Sequence, residues 1–91
     1  MKETKHDKKK APALVIELVG TARKLLEAGM LIEAEYILRR AIQYDPLYPP
    51  AYALLGYSLE AQHRWDDAME VFGVVKQMQS FRAGVRALAG E

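Results

Sequence analysis

The sequence predicts an all-α fold, two helical hairpins in tandem followed by a short C-terminal capping helix, and two observations carry that prediction. Residues 51–72 read AYALLGYSLEAQHRWDDAMEVF, two amphipathic segments hinged at Gln62-His63-Arg64. Tyr52, Leu55, Gly56 and Leu59 share one helical face in the first segment; Ala68, Phe72 and Val75 share one face in the second. The small Gly56 and Ala68 fall where two helices would cross most closely, since a larger side chain there pushes the axes apart. Bulky Tyr52, Leu59 and Phe72 flank the crossing. The second observation is an internal repeat. A shift of 34 residues places Tyr52 on Leu18, Gly56 on Ala22, Leu59 on Leu25, Ala68 on Ala34, Phe72 on Leu38 and Val75 on Ala41, without a gap. A period of this length is the signature of stacked helix-turn-helix units.

The elements follow in order. Residues 1–12 read as a basic, solvated tail, and Ala11-Pro12-Ala13 as the entry to the first helix, because proline is tolerated in a first turn. From about Ala13 to Ala28, Leu14, Leu18, Ala22 and Leu25 keep helical spacing, and Gly29 stops the run as a left-handed C-terminal residue does. The second helix spans roughly Leu31 to Tyr44, with Ala34, Leu38, Ala41 and Ile42 inward and Tyr44 under the following hairpin. Asp45-Pro46 ends it, since the residue before a proline is driven out of the helical region. Leu47 to Pro50 is a stiff connector. The third helix runs from about Pro50 to Gln62 and the fourth from about Trp65 to Gln79. His63 takes the place of Gly29 and calls for a turn that is not left-handed. Ser80 caps a last short helix, whose Phe81, Val85 and Leu88 are expected to cover the end of the second hairpin.

The motif of Tyr52, Leu55, Gly56, Leu59, Ala68 and Phe72, with its first copy of Leu18, Ala22, Leu25, Ala34, Leu38, Ala41 and closing Pro46, resembles the tetratricopeptide repeat (TPR) family. The resemblance covers about Val15 to Gln79 and implies a right-handed α-solenoid fragment: repeat one at about 15–48, repeat two at about 49–80 and a capping helix at about 81–90, together a TPR domain of residues 13–90. It also implies a groove lined by the first helix of each hairpin. Carried over by position, the groove residues are Ile16, Val19, Arg23 and Leu26 in the first copy, and Pro50, Ala53, Tyr57 and Glu60 in the second. Family members that grip a C-terminal carboxylate use lysine and asparagine where this chain has Val19, Arg23, Ala53 and Tyr57, so that clamp is missing. A mostly apolar groove suits an amphipathic helix or an apolar peptide of a protein partner.

Composition narrows the function further. Hydrophobic residues make up 51% of the chain, which suits a folded domain and not a disordered one. There is no cysteine, which removes disulfides and thiolate metal sites. No apolar run approaches the ~20 residues needed to span a bilayer, and Glu17 interrupts Leu14-Val15-Ile16 before it can serve as a signal segment. The expected location is therefore cytoplasmic. Net charge is +1, divided as +3 over the first ten residues and −2 over the rest, so no basic stripe runs along a folded face and nucleic acid is not an expected partner.

His6 and His63 are the only histidines, one in the tail and one in a turn, with no second ligand at metal spacing. No phosphate loop or nucleophile elbow is present. Asp66-Asp67 opens a helix, where carboxylates favour the dipole, and Arg39-Arg40 beside Glu33 and Glu35 reads as a solvated face. Trp65 reads as packing between helices; Tyr36 has no core assignment. The chain is expected to be no enzyme and to need no cofactor or metal. Because two repeats bury only part of their apolar surface and about three are usual for independent stability, the remainder needs a lid. The leading expectation is an adaptor or chaperone similar to the short TPR chaperones of bacterial type III secretion. The alternative is a self-associating, homo-oligomeric scaffold without a separate ligand.

Overall fold

The computed structural model describes residues 2–88, with side chains from Pro12 to Val85 and at Leu88. It holds α1 (Lys2–Glu27), α2 (Leu31–Tyr44), α3 (Pro49–Ala61) and α4 (Trp65–Leu88). α1 packs on α2, α2 on α3 and α3 on α4, with a smaller contact between α1 and α3. This is the tandem pair of hairpins that the repeat predicts.

The 34-residue register holds down to single hydrogen bonds. In the first hairpin the Gly29 amide donates to the Leu26 carbonyl (3.0 Å) and the Met30 amide to that of Leu25 (2.8 Å). In the second, His63 donates to Glu60 and Arg64 to Leu59, both at 2.9 Å. Both are Schellman closures, which satisfy the last carbonyls of a helix by sending the next residue left-handed. Gly29 has φ +79° and His63 φ +64°. The expectation that His63 avoids the left-handed region is therefore overturned: the closure dictates the conformation, and histidine adopts it at a cost of about 1–2 kcal/mol relative to glycine. Its ring meets Trp65 edge to face, with centroids 5.3 Å apart.

The core consists of Val15, Val19, Ala22, Ala34, Leu38, Ala41, Ala51, Leu55, Leu59 and Ala68. Leu18 and Leu25 pack against it half-buried, Tyr52 is half-buried and Gly56 buried. The helix crossing is tighter at Gly56 than the sequence reading required. A Cβ on Gly56 would lie 2.5 Å from Cε1 of Phe72, so a methyl there requires the Phe72 ring to move. The first copy solves the same crossing with Ala22 and Leu38 in place of Gly56 and Phe72: a larger backbone-side residue faces a smaller knob.

Two polar devices tie the hairpins together. Buried Ser58 donates from Oγ to the Leu31 carbonyl (2.9 Å) and accepts from Gln62 Nε2 (3.2 Å). Glu35, largely shielded, accepts from Gln62 (3.0 Å), Arg39 (3.0 Å) and Arg64 (2.9 Å), so α2 grips the turn of the following hairpin. Burial alone would raise the Glu35 pKa, but the hydrogen bonds from Gln62 and Arg39 and the charges of Arg64 and Arg39 outweigh it and hold it below the usual carboxylate value. The connector is pinned as well. Asp45 is extended ahead of Pro46, its Oδ1 accepts from the Leu47 amide at 3.0 Å, and the Tyr52 hydroxyl donates to the Pro46 carbonyl at 2.7 Å.

Both outer helices exceed their expected bounds. α1 begins at Lys2 instead of near Ala13, with Pro12 inside it; residues 2–11 contain no glycine or proline to stop the helix. The side chains of the expected tail, up to Ala11, lie outside the described residues. α4 runs unbroken to Leu88, so there is no separate capping helix. The cause lies in the register: Asp45-Pro46 ends α2, whereas the matching pair, Gln79-Ser80, contains nothing that breaks a helix. Residues 89–90 of the expected cap are outside the described residues. Phe81, Val85 and Leu88 are exposed and cover nothing. Trp65 and Tyr44 are also exposed, because no helix among the described residues lies over α4's outer face or over the end of α2. Pro46 is exposed at the connector.

Two outcomes test this packing. Gly56→Ala is expected to destabilise the fold by about 1–3 kcal/mol, and adding Phe72→Leu, which reproduces the Ala22–Leu38 solution, is expected to recover most of that loss in urea unfolding. For Glu35 the folded pKa lies below the unfolded one. Its contribution, about 1 kcal/mol at this exposure, is therefore present at neutral pH and disappears as pH falls through the carboxylate range. Urea midpoints measured from pH 7 to pH 3 are expected to fall less steeply in Glu35→Gln than in the parent.

Candidate partner-binding surface

The residues expected to line a groove do not all reach the surface. Val19 is 4% exposed and belongs to the core. Its place among partner-contacting residues is corrected on that ground, whereas Ala53, the matching position of α3, is exposed. Ile16, Arg23, Ala53, Tyr57 and Glu60 are exposed, Leu26 is half-buried and Pro50 half-buried at the start of α3. Three of them converge. Arg23 and Leu26 from α1 and Tyr57 from α3 line a shallow depression of about 270 Å³, together with Glu27 and Leu54. Leu26 and Leu54 pack against the core and form an apolar floor, while Arg23, Glu27 and the Tyr57 hydroxyl supply polar groups. Glu27 and Leu54 were missed by carrying over family positions alone. Helical spacing finds both, since Glu27 is four residues after Arg23 and Leu54 three before Tyr57.

A second hollow, about 330 Å³, lies at the α3–α4 turn and is lined by His63, Arg64, Trp65, Asp66 and Asp67. It is larger but has a single wall, five consecutive residues of one turn, and Arg64 is already committed to Glu35 (2.9 Å) and Asp67 (3.1 Å). The depression between α1 and α3 joins two elements and is the better receptor for a side chain.

The two ends of the stack differ in chemistry. On α3, the face that covers α2 presents buried Ala51, Leu55 and Ser58. The matching positions of α1 are Glu17, Thr21 and Lys24, all exposed. α1 thus ends the stack with a polar face. On α4, Trp65 and Met69 match Leu31 and Glu35, the residues of α2 that Ser58 and Gln62 reach; both are exposed. No helix among the described residues is long and apolar enough to cross a membrane. Among the same residues, no group of three His, Cys, Asp or Glu side chains is placed to hold a metal.

Comparison with curated proteins and with solved structures returned no match. A family model described as tetratricopeptide repeat matches residues 25–89, a span that includes the α1–α2 closure, the α2–α3 brace and the Gly56–Phe72 crossing. With that span covering more than half of the sequence, and with the hairpin geometry repeating at 34 residues, the chain belongs to the tetratricopeptide repeat family, a protein-interaction fold.

Proposed function

We propose that this chain is a small cytoplasmic adaptor or chaperone that holds an amphipathic helix or apolar peptide of a partner protein against the face shared by α1 and α3. One observation carries this reading: the depression whose apolar floor, Leu26 and Leu54, is rimmed by Arg23, Glu27 and Tyr57. Such a surface takes an apolar anchor and orients it through polar neighbours, as helix-in-groove recognition requires. The apolar floor of the depression, similar to the groove of the short TPR chaperones of type III secretion, supports a role in shielding an aggregation-prone secretion substrate.

A second reading, the self-associating scaffold, is favoured by the exposed Trp65 and Met69. The end-face chemistry limits its form. Head-to-tail stacking of copies would set Glu17, Thr21 and Lys24 against that apolar face, so a scaffold would have to pair α4 with α4.

The groove reading is tested by affinity purification from the native host, with mass spectrometry of the co-purifying proteins, using the parent, Tyr57→Ala and Arg23→Glu. Both variants alter exposed side chains and are expected to keep their helix content. Loss of an interface aromatic of this kind costs about 2 kcal/mol or more, so each variant is expected to lose the partner at least tenfold. Unchanged capture by both removes the α1–α3 face from the reading, and a stable dimer that takes nothing from the extract favours the scaffold.

A further inference from the structure

α4 meets α3 along one face, with Ala68 buried and Val71, Val75 and Met78 half-buried. α3 begins at Pro49, so its cover stops near Met78, while α4 continues to Leu88. Those last ten residues add about 15 Å of helix at 1.5 Å per residue. The apolar pattern does not stop with the cover. Val71, Val74, Met78, Phe81, Val85 and Leu88 alternate at spacings of three and four, the seam by which one helix packs along another. Past the end of α3 that seam is bare: Phe81 is 72% exposed, Val85 48% and Leu88 89%.

The charge beside the seam identifies its occupant. From Val71 to Leu88 the chain carries Lys76, Arg82 and Arg86 and no aspartate or glutamate. A second copy laid antiparallel would bring three more cations to the same stretch and no anion. The apolar strip is two positions wide, bordered by Gln77, Gln79, Ser80 and Gly84, which is narrower than the broad face a helix needs to lie in a bilayer surface. We infer that the C-terminal half of α4 is a docking strip for an acidic amphipathic helix of another protein, lying antiparallel to α4 and in line with α3. The strip extends the α3–α4 interface and is separate from the depression at Arg23 and Tyr57, so neither reading depends on the other.

The test uses the full chain and two fluorescein-labelled synthetic helices of the same leucine seam, one flanked by glutamate and one by lysine, read by anisotropy. The glutamate peptide is expected to bind at least tenfold more tightly than the lysine peptide. Val85→Asp and Phe81→Ser, both in exposed positions beyond the packed core, are expected to weaken it at least tenfold, Arg82→Glu to reduce the preference between peptides, and Tyr57→Ala to leave binding unchanged. Equal affinity for the two peptides, no binding of either, or loss of binding in Tyr57→Ala overturns the inference. So does a concentration-dependent dimer in sedimentation that Val85→Asp dissolves, which assigns the strip to a second copy. Val85-dependent binding to phosphatidylserine vesicles, with neither peptide bound, overturns it in favour of a membrane.

Discussion

A helical hairpin can bury only one of its faces by itself, and the seam where α3 lies on α2 is how this chain meets that constraint. Leu38, Leu55 and Leu59 lose essentially all contact with water there or in the adjoining hairpin contacts, each gaining about 1.5–3 kcal/mol from burial. Hydrophobic burial does not fix register, since apolar faces can slide. Directional bonds do: Ser58 reaches the Leu31 carbonyl, and Glu35 collects Gln62, Arg39 and Arg64. The carboxylate is taken partly out of water, which is unfavourable, and is compensated by three donors that hold it ionised. The brace therefore works as a clasp at neutral pH, with the hydrophobic seam supplying most of the energy.

From that seam outward the two ends of the molecule diverge. α1 turns Glu17, Thr21 and Lys24 to solvent where α3 turns Ala51, Leu55 and Ser58 to its neighbour, so the stack is finished on that side by ordinary surface chemistry. α4 carries Trp65 and Met69 on one face and Phe81, Val85 and Leu88 farther along, all exposed. A contiguous apolar surface on a small domain marks a place where something docks. The functional readings follow from this asymmetry and from the depression between α1 and α3.

Much of the fold was legible in the amino-acid sequence because the repeat constrains each position twice. Ala34, Leu38, Ala41, Leu55, Leu59 and Ala68 are core in the structure as the spacing required, and Gly29 is left-handed as expected. The misreadings come where the copies depart from each other. Ser80 has the chemistry of a cap, but Gln79-Ser80 lacks the proline that stops α2, and α4 continues. His63 was granted freedom that the Schellman closure does not allow. Glu35 looked like one charge on a solvated face because its partners Gln62 and Arg64 lie in the next hairpin, a distance in sequence that periodicity does not register. Of the residues lining the depression, Arg23, Leu26 and Tyr57 stand at positions the resemblance implies for a groove and Glu27 and Leu54 do not, while Val19 lies in the core because positional carry-over does not say which side of a helix its neighbours cover.

Order in this molecule is concentrated in the α2–α3 seam and falls off where α4 outruns α3. Amide hydrogen exchange of the free chain, resolved by residue, tests it most directly. Amides of α2 and of α3 through Leu59 are expected to exchange only by global opening, while those from Phe81 to Leu88, in a helical stretch with no tertiary cover and too short to persist by itself, exchange orders of magnitude faster. Equal protection of Phe81–Leu88 and of α3 in a dilute monomer would show that the end of α4 is held by something other than α3.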